Sequence, residues 1–122
     1  MTKTISLSTK PVPVNHRQTL SRGRLISSKL YRDTKEALAW ETRSQWQNEA
    51  LVGSVALDIT LYFGDKRKRD VDSYLKILLD ALSGIVYEDD NQVITIIASK
   101  EYDKENPRVE ITPYEIIGKA PF

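Results

Sequence analysis

Residues 54–63 read Ser-Val-Ala-Leu-Asp-Ile-Thr-Leu-Tyr-Phe, and this decapeptide constrains the fold more tightly than any other stretch of the chain. Val55, Leu57, Ile59, Leu61 and Phe63 fall on one side of an extended backbone, with Ser54, Asp58, Thr60 and Tyr62 on the other. That period of two marks a strand with one buried face, which needs a second layer to cover it. Gly53 precedes the strand, and Gly64 delivers the chain into Lys66-Arg67-Lys68-Arg69-Asp70-Val71-Asp72.

The covering elements can be read on either side. Lys3 to Thr9 alternates through Ile5 and Leu7 and predicts a short strand ending at Pro11 and Pro13. Residues Pro11 to Gly23 are expected to form an irregular, exposed basic loop. Ser27 and Ser28 are candidate N-caps of a helix reaching about Asn48 and roughly 30 Å long. Its expected apolar stripe is Ile26, Leu30 and Ala37 with Tyr31 and Leu38 beside them. Trp46 projects away from that stripe; both tryptophans either pack in the core or leave Trp46 for a subunit interface.

A second helix is expected from Val71, with Val71, Leu75, Leu78 and Leu82 within about 60° of one another and Asp72, Lys76 and Asp80 on the opposite stripe. Gly84 suits the position just past its end. After the acidic turn Glu88-Asp89-Asp90-Asn91, Val93 to Tyr102 reads as a strand and Arg108 to Thr112 as another, and the two are expected to pair as a hairpin. Residues from Pro113 to Phe122 carry no interpretable pattern. The order β-α-β-α-β-β predicts a single α+β domain over residues 1–122, a mixed sheet with two helices packed against it.

Composition narrows the chemistry. Without cysteine there is no disulfide, thiolate nucleophile or zinc–thiolate site, and a single histidine, His16, precludes a multi-histidine metal site. No apolar run approaches the ~20 residues of a membrane span, so no membrane partner and a cytoplasmic location are expected. Net charge is only +1, yet Lys10 to Lys35 holds seven cations against Asp33 alone, an excess of +6. Affinity for a polyanion would therefore come from charge distribution.

Four cations run directly into Asp70 and Asp72, and a second acidic cluster follows one helix later. If the chain is extended at Asp70, the two carboxylates can point the same way, and sheet pairing could bring the acidic turn Glu88-Asp89-Asp90-Asn91 alongside to give three convergent carboxylates. Such an oxygen-only set suits Mg²⁺, which can generate an attacking hydroxide and stabilise a leaving oxygen in phosphodiester hydrolysis. Lys76, about one turn after Asp72, could stabilise charge on phosphate. Ordinary structural roles stand beside these: Asp70 and Asp72 as cap and dipole partners, Asp72 and Lys76 as a helix-face ion pair, Asp89-Asp90-Asn91 as a turn, and Lys66 to Arg69 as a solvated loop.

Three separated pieces, Arg69-Asp70-Val71-Asp72-Ser73-Tyr74-Leu75-Lys76, Leu79-Asp80-Ala81-Leu82 and Gly84 to Val93, resemble the RusA family of Holliday-junction resolvases in order and spacing. The resemblance implies a homodimeric, Mg²⁺-dependent endonuclease, with Mn²⁺ as a substitute ion, that nicks four-way junction DNA symmetrically and is typical of phages. It makes Asp70, Asp72 and Asp90 the metal-binding catalytic carboxylates and Lys76 the essential lysine, with Asp89 a weaker candidate. Ser73 departs from the family's usual asparagine. Lys66, Arg67, Lys68 and Arg69, with Arg17, Arg22 and Arg24, are the expected phosphate contacts. A non-cleaving branched-DNA-binding protein and a metal-dependent nucleotide phosphohydrolase are the competing readings; the latter lacks a glycine-rich phosphate loop.

Overall fold

The strand expected over residues 54–63 is the centre of the fold in the computed structural model, which describes residues 3–21 and 23–118. In chain order the elements are β1 (Ile5–Leu7), β2 (Gln18–Ser21), β3 (Arg24–Ser27), α1 (Lys29–Gln45), β4 (Ser54–Phe63), α2 (Leu75–Leu82), β5 (Val93–Tyr102) and β6 (Arg108–Ile116). The main sheet has the order β1-β6-β4-β5. β5 runs parallel to β4, while β6 is antiparallel to β4 and β1. Parallel neighbours cannot be joined by a tight turn, and α2 is the crossover that returns the chain. The result is the expected α+β domain with a mixed sheet and two helices.

The five alternating apolar residues of β4, Val55, Leu57, Ile59, Leu61 and Phe63, are buried in one cluster with Ile5, Leu7, Tyr31, Leu38, Ile77, Leu78, Leu82 and Ile111. The other face of β4 stays open, with Asp58 exposed and Thr60 and Tyr62 half-buried. This is a two-layer arrangement with a single core between sheet and helices.

Several local expectations change. The basic loop contains a 3-10 turn at Val14–His16 and the two-stranded β2–β3 sheet, with Gln18 opposite Ser27 and Ser21 opposite Arg24. Gln18-Thr19-Leu20-Ser21 has no apolar alternation, so periodicity gives no strand signal there. Helix α1 is capped by Ser28, whose Oγ accepts from the Tyr31 amide at 3.0 Å. It stops at Gln45, a length of about 25 Å. Its buried stripe is Tyr31, Thr34, Leu38 and Thr42, while Leu30 is exposed and Ile26 belongs to β3. Thr42 is tolerated inside because its hydroxyl donates to the Leu38 carbonyl at 2.8 Å. Trp46 is in the core, whereas Trp40 is 70% exposed, so the two tryptophans have different environments.

The helix expected from Val71 begins as a 3-10 turn at Val71–Tyr74. That tighter winding shifts the phase, burying Ile77, which the expected stripe omitted. Gly84 has φ +84° just beyond the helix, a backbone conformation that glycine adopts without strain.

The largest change concerns β5 and β6, which do not form a hairpin. They lie on opposite sides of β4, so the segment 103–107 passes over the end of that strand. The Asp103 amide donates to the Phe63 carbonyl at 2.9 Å, and a Cβ on Gly64 would sit 3.0 Å from Pro107 Cγ. Residues past Pro113 also continue β6 to Ile116, paired with Ser54. Local periodicity identifies strands without choosing their neighbours, and here the crossover made that choice.

Candidate active site

Asp70 leaves β4 with extended backbone, φ −93° and ψ 120°, and its side chain caps nothing. Ser73 closes the turn instead: its amide and hydroxyl donate to the Asp70 carbonyl at 3.2 and 2.7 Å. The serine in the family's asparagine position therefore holds the Asp70 backbone while leaving its carboxylate free. Asp72 lies within the 3-10 turn and is exposed. Capping, the structural role available to Asp70, is not the role it plays.

Asp89 does play that role in the second acidic cluster. Its carboxylate accepts from the Asn91 amide at 3.0 Å and, with Gln92, forms a capping box around the 3-10 turn Asp90–Gln92. Gln92 is buried and is the residue that anchors this turn. Its Oε1 accepts from the Glu88 and Asp89 amides at 2.9 and 3.0 Å, and its Nε2 donates to the Leu51 and Gly53 carbonyls at 2.8 and 3.0 Å. Asp90, by contrast, is exposed. Among the described residues, the carboxylates of Asp70, Asp72 and Asp90 accept no hydrogen bond and form no ion pair.

Between the two clusters lies the polar face of α2. Lys76 Nζ pairs with Asp80 Oδ1 at 3.1 Å, not with Asp72, and the buried Tyr31 donates its hydroxyl to Asp80 Oδ2 at 2.5 Å. Burial first, then the Asp80 hydrogen bond, pushes the Tyr31 hydroxyl far above the usual tyrosine range, against the opposing charge of Arg17. Asp80 thus orients the lysine. Sequence reading placed it only on a polar stripe, because its partner Tyr31 lies 49 residues away. Tyr87, whose hydroxyl donates to the Leu79 carbonyl at 2.9 Å, is raised in the same direction by burial, then by the charges of Asp90 and Asp80.

The structure separates the acidic residues. Lys100 Nζ donates to the Arg69 carbonyl at 2.6 Å, fixing the approach to Asp70 at the C-terminal end of β5. Gln92 fixes Asp90 beside the start of β4. Because β4 and β5 are parallel, these are opposite ends of the sheet. From the start of the 3-10 turn at Val71 to the end of α2 is about 20 Å. Two ligands of one Mg²⁺ each bond it at about 2.1 Å. Among the described residues no three His, Asp or Glu side chains are placed to hold one metal ion. The expected convergence of Asp70, Asp72 and Asp90 therefore does not occur within one chain: sheet pairing sets Asp90 beside the beginning of β4, not its end.

The basic run divides by role. Asp65 accepts from the Arg67 amide at 3.0 Å and pairs with Arg69 at 2.9 Å; these bonds, Arg69 first, hold its carboxyl well below the usual range. Arg69 is folded inward, its side chain only 9% exposed and its guanidinium 4.2 Å from the Phe63 ring centre. Lys66 leans over Tyr102 at 4.9 Å. Arg67 and Lys68, with Lys10 and His16, line a cleft of about 490 Å³ walled by Pro11, Leu30 and Tyr74. Among the described residues, no carboxylate lines that cleft. Arg17 follows the Val14–His16 turn, its amide donating to the Val14 carbonyl at 3.0 Å. Arg24 lies in β3, and Arg22 lies outside the described residues.

The family model for endodeoxyribonuclease RusA matches residues 9–113, spanning both acidic clusters and the basic cleft. The chain belongs to the RusA family. It is 32% identical over 114 residues to the crossover junction endodeoxyribonuclease RusA of Aquifex aeolicus, covering 89% of this chain and 90% of that protein. An uncharacterized protein, YqaN of Bacillus subtilis, is 47% identical over 49 residues, covering 40% of this chain and 34% of that protein. Within the RusA family, the uncapped Asp70, the Asp80–Lys76 pair and the Gln92 anchor give physical roles to motif positions that spacing alone leaves open.

Proposed function

We propose that this RusA-family chain is a divalent-metal-dependent endodeoxyribonuclease that resolves four-way DNA junctions by paired, symmetric nicks. The observation that carries the reading is the uncommitted carboxylate of Asp70, held on extended backbone immediately after a cation-lined cleft. A binding protein would gain affinity for phosphate by losing that charge. In this reading Asp70, Asp72 and Asp90 are metal ligands for Mg²⁺, with Mn²⁺ as a substitute; the all-oxygen donor set fits a hard cation. When bound, such an ion supplies an activated water and neutralises phosphate charge.

The chain's own residues supply the rest. Lys10, Arg67 and Lys68 receive the phosphate backbone in the cleft, with Lys66 and Arg17 beside them, and these contacts position DNA without reading bases. Lys76, held by Asp80, provides a positive charge on the face that also carries Asp72. Arg69 acts from beneath by fixing the loop. A homodimer provides the two sites that a two-fold symmetric junction needs.

The test is cleavage of a labelled synthetic four-way junction, in Mg²⁺ or in chelator, beside a linear duplex of the same sequence. Mg²⁺-dependent nicking of the junction that spares the duplex is expected. Tight junction binding without cutting would replace this reading with the binding-protein alternative. Inhibition by free nucleotide but not by junction DNA would favour the phosphohydrolase.

A further inference from the structure

We propose that a second pocket, adjoining the cationic cleft, receives an unstacked nucleobase from the branch point of a DNA junction while the cleft holds the phosphates beside it. The inference rests on the DNA reading given above, in which Lys10, Arg67 and Lys68 meet the backbone.

The pocket lies where β1 ends. Leu7 is the last β1 residue paired with β6, and the chain from Ser8 to Pro11 then leaves the sheet beside the ends of β4 and β6. The space has a volume of about 300 Å³ and takes its apolar lining from Leu61, Phe63, Pro107 and Val109. That is the size of a small preformed ligand site. Gly64 allows its wall to close, because a Cβ there would sit 3.0 Å from Pro107 Cγ.

Charge distinguishes pocket from cleft. Inside the pocket Arg69 is committed to Asp65 at 2.9 Å, and Arg108 to Asp103 and Glu110 at 2.8 and 2.7 Å. The Ser8 and Thr9 hydroxyls donate to Glu41 at 2.7 and 2.8 Å. A free anion therefore gains little there. The cleft, by contrast, carries Lys10, Arg67 and Lys68 and, among the described residues, no carboxylate. Lys10, Pro11 and Arg69 line both spaces, so the two are contiguous. Their occupant must be uncharged on one side and anionic on the other, which is the form of one nucleotide in a DNA strand. Contact with the face of a base does not depend on its identity, so the pocket accepts bases without reading sequence.

Branched DNA supplies such a nucleotide more readily than linear duplex. In a duplex every internal base pair is stacked on both sides, whereas at a branch point the continuous stack is interrupted. Extruding a base costs least where its stacking and pairing are already weakened. The pocket would thus favour junctions by shape alone.

The test uses 2-aminopurine, whose fluorescence is quenched by stacking. The probe is placed in turn at each position bordering the branch point of a synthetic four-way junction, and at the same positions in a linear duplex. Titration in chelator reads binding without cleavage. A several-fold rise is expected at one or more branch-point positions, with no change in the duplex. The pocket is then plugged. The chain has no cysteine, so Pro107→Cys and, separately, Ser8→Cys place one thiol on its lining for alkylation by N-ethylmaleimide. Before alkylation each variant should reproduce the rise; afterwards the rise should be lost while the junction is still shifted in a gel through the cleft. Two attachment points keep the test decisive if one variant does not fold. No rise at any position despite tight junction binding, an equal rise in the duplex, or a rise that survives alkylation at both points overturns the proposal and leaves the nuclease reading standing. Failure to bind the junction at all overturns both.

Discussion

Removing the Asp80 carboxylate is expected to cost more stability than its exposed ion pair with Lys76 suggests. Asp80 is the acceptor for the hydroxyl of Tyr31, a residue only 3% exposed. In Asp80→Ala that hydroxyl is stranded, which costs about 1–3 kcal/mol, and the partly exposed i, i+4 pair with Lys76 contributes about 0.3–0.5 kcal/mol more. Tyr31→Phe alone removes the donor and leaves a carboxylate that still has Lys76 and solvent, at about 1 kcal/mol. The double variant leaves no buried hydroxyl unpaired, so it should cost at least 1 kcal/mol less than the sum of the singles. Urea unfolding of the four proteins at pH 7 gives the coupling as a double-mutant cycle. Additivity within about 0.3 kcal/mol would refute the reasoning and reduce the Tyr31–Asp80 contact to coincidence. The same variants bear on function: Asp80→Ala frees Lys76, so junction cleavage should fall further than in Tyr31→Phe, which keeps the lysine's partner.

Asp70→Asn should abolish cleavage while keeping or tightening junction binding, measured by gel shift in chelator; lost binding in a folded protein would assign Asp70 to recognition. Lys68→Ala and Arg67→Ala should each weaken binding and lower the slope of log K against log salt by about 1. Arg69→Ala should instead lower thermal stability, because its side chain is committed to Asp65 and Phe63; an unchanged midpoint would return Arg69 to the phosphate contacts. Burial alone would raise the Glu41 carboxyl, but the four hydrogen bonds it accepts from Ser8 and Thr9 outweigh that and hold it below the usual glutamate range. A depressed carboxyl stabilises the fold above its unfolded pKa and loses that contribution as pH falls through the folded one. Glu41→Gln should therefore be less stable at pH 7 and show a shallower loss between pH 5 and 3; parallel curves would contradict this.

What sequence could deliver depended on the range of the interaction. β4 was legible because five alternating apolar residues are themselves the signal, and the Ser28 cap and Gly84 terminus were legible because their partners lie within a few residues. The β2–β3 hairpin was not, since its four-residue strands carry no apolar alternation and pair only with each other. The place of β6 across β4 was not either, since strand periodicity carries no information about neighbours. At the site, Asp70, Asp72, Lys76 and the acidic turn stood out by spacing and Asp90 by the family resemblance, while the division of work among them did not. Asp89 caps and Asp90 is free, Ser73 serves Asp70's carbonyl, and Asp80 pairs with a tyrosine from the other helix. Each of those assignments depends on a contact that only folding creates. The separation of Asp90 from Asp70 follows from β5 running parallel to β4, a fact no local pattern contains.

Mapping the cut positions on all four strands of a synthetic junction in Mg²⁺ tests the central claim most directly. The account predicts nicks at symmetric positions in two opposed strands, abolished by chelator and by Asp70→Asn, with 5′-phosphate and 3′-hydroxyl ends that a ligase reseals. Cuts scattered equally over junction and linear duplex, or none despite tight binding, would contradict it.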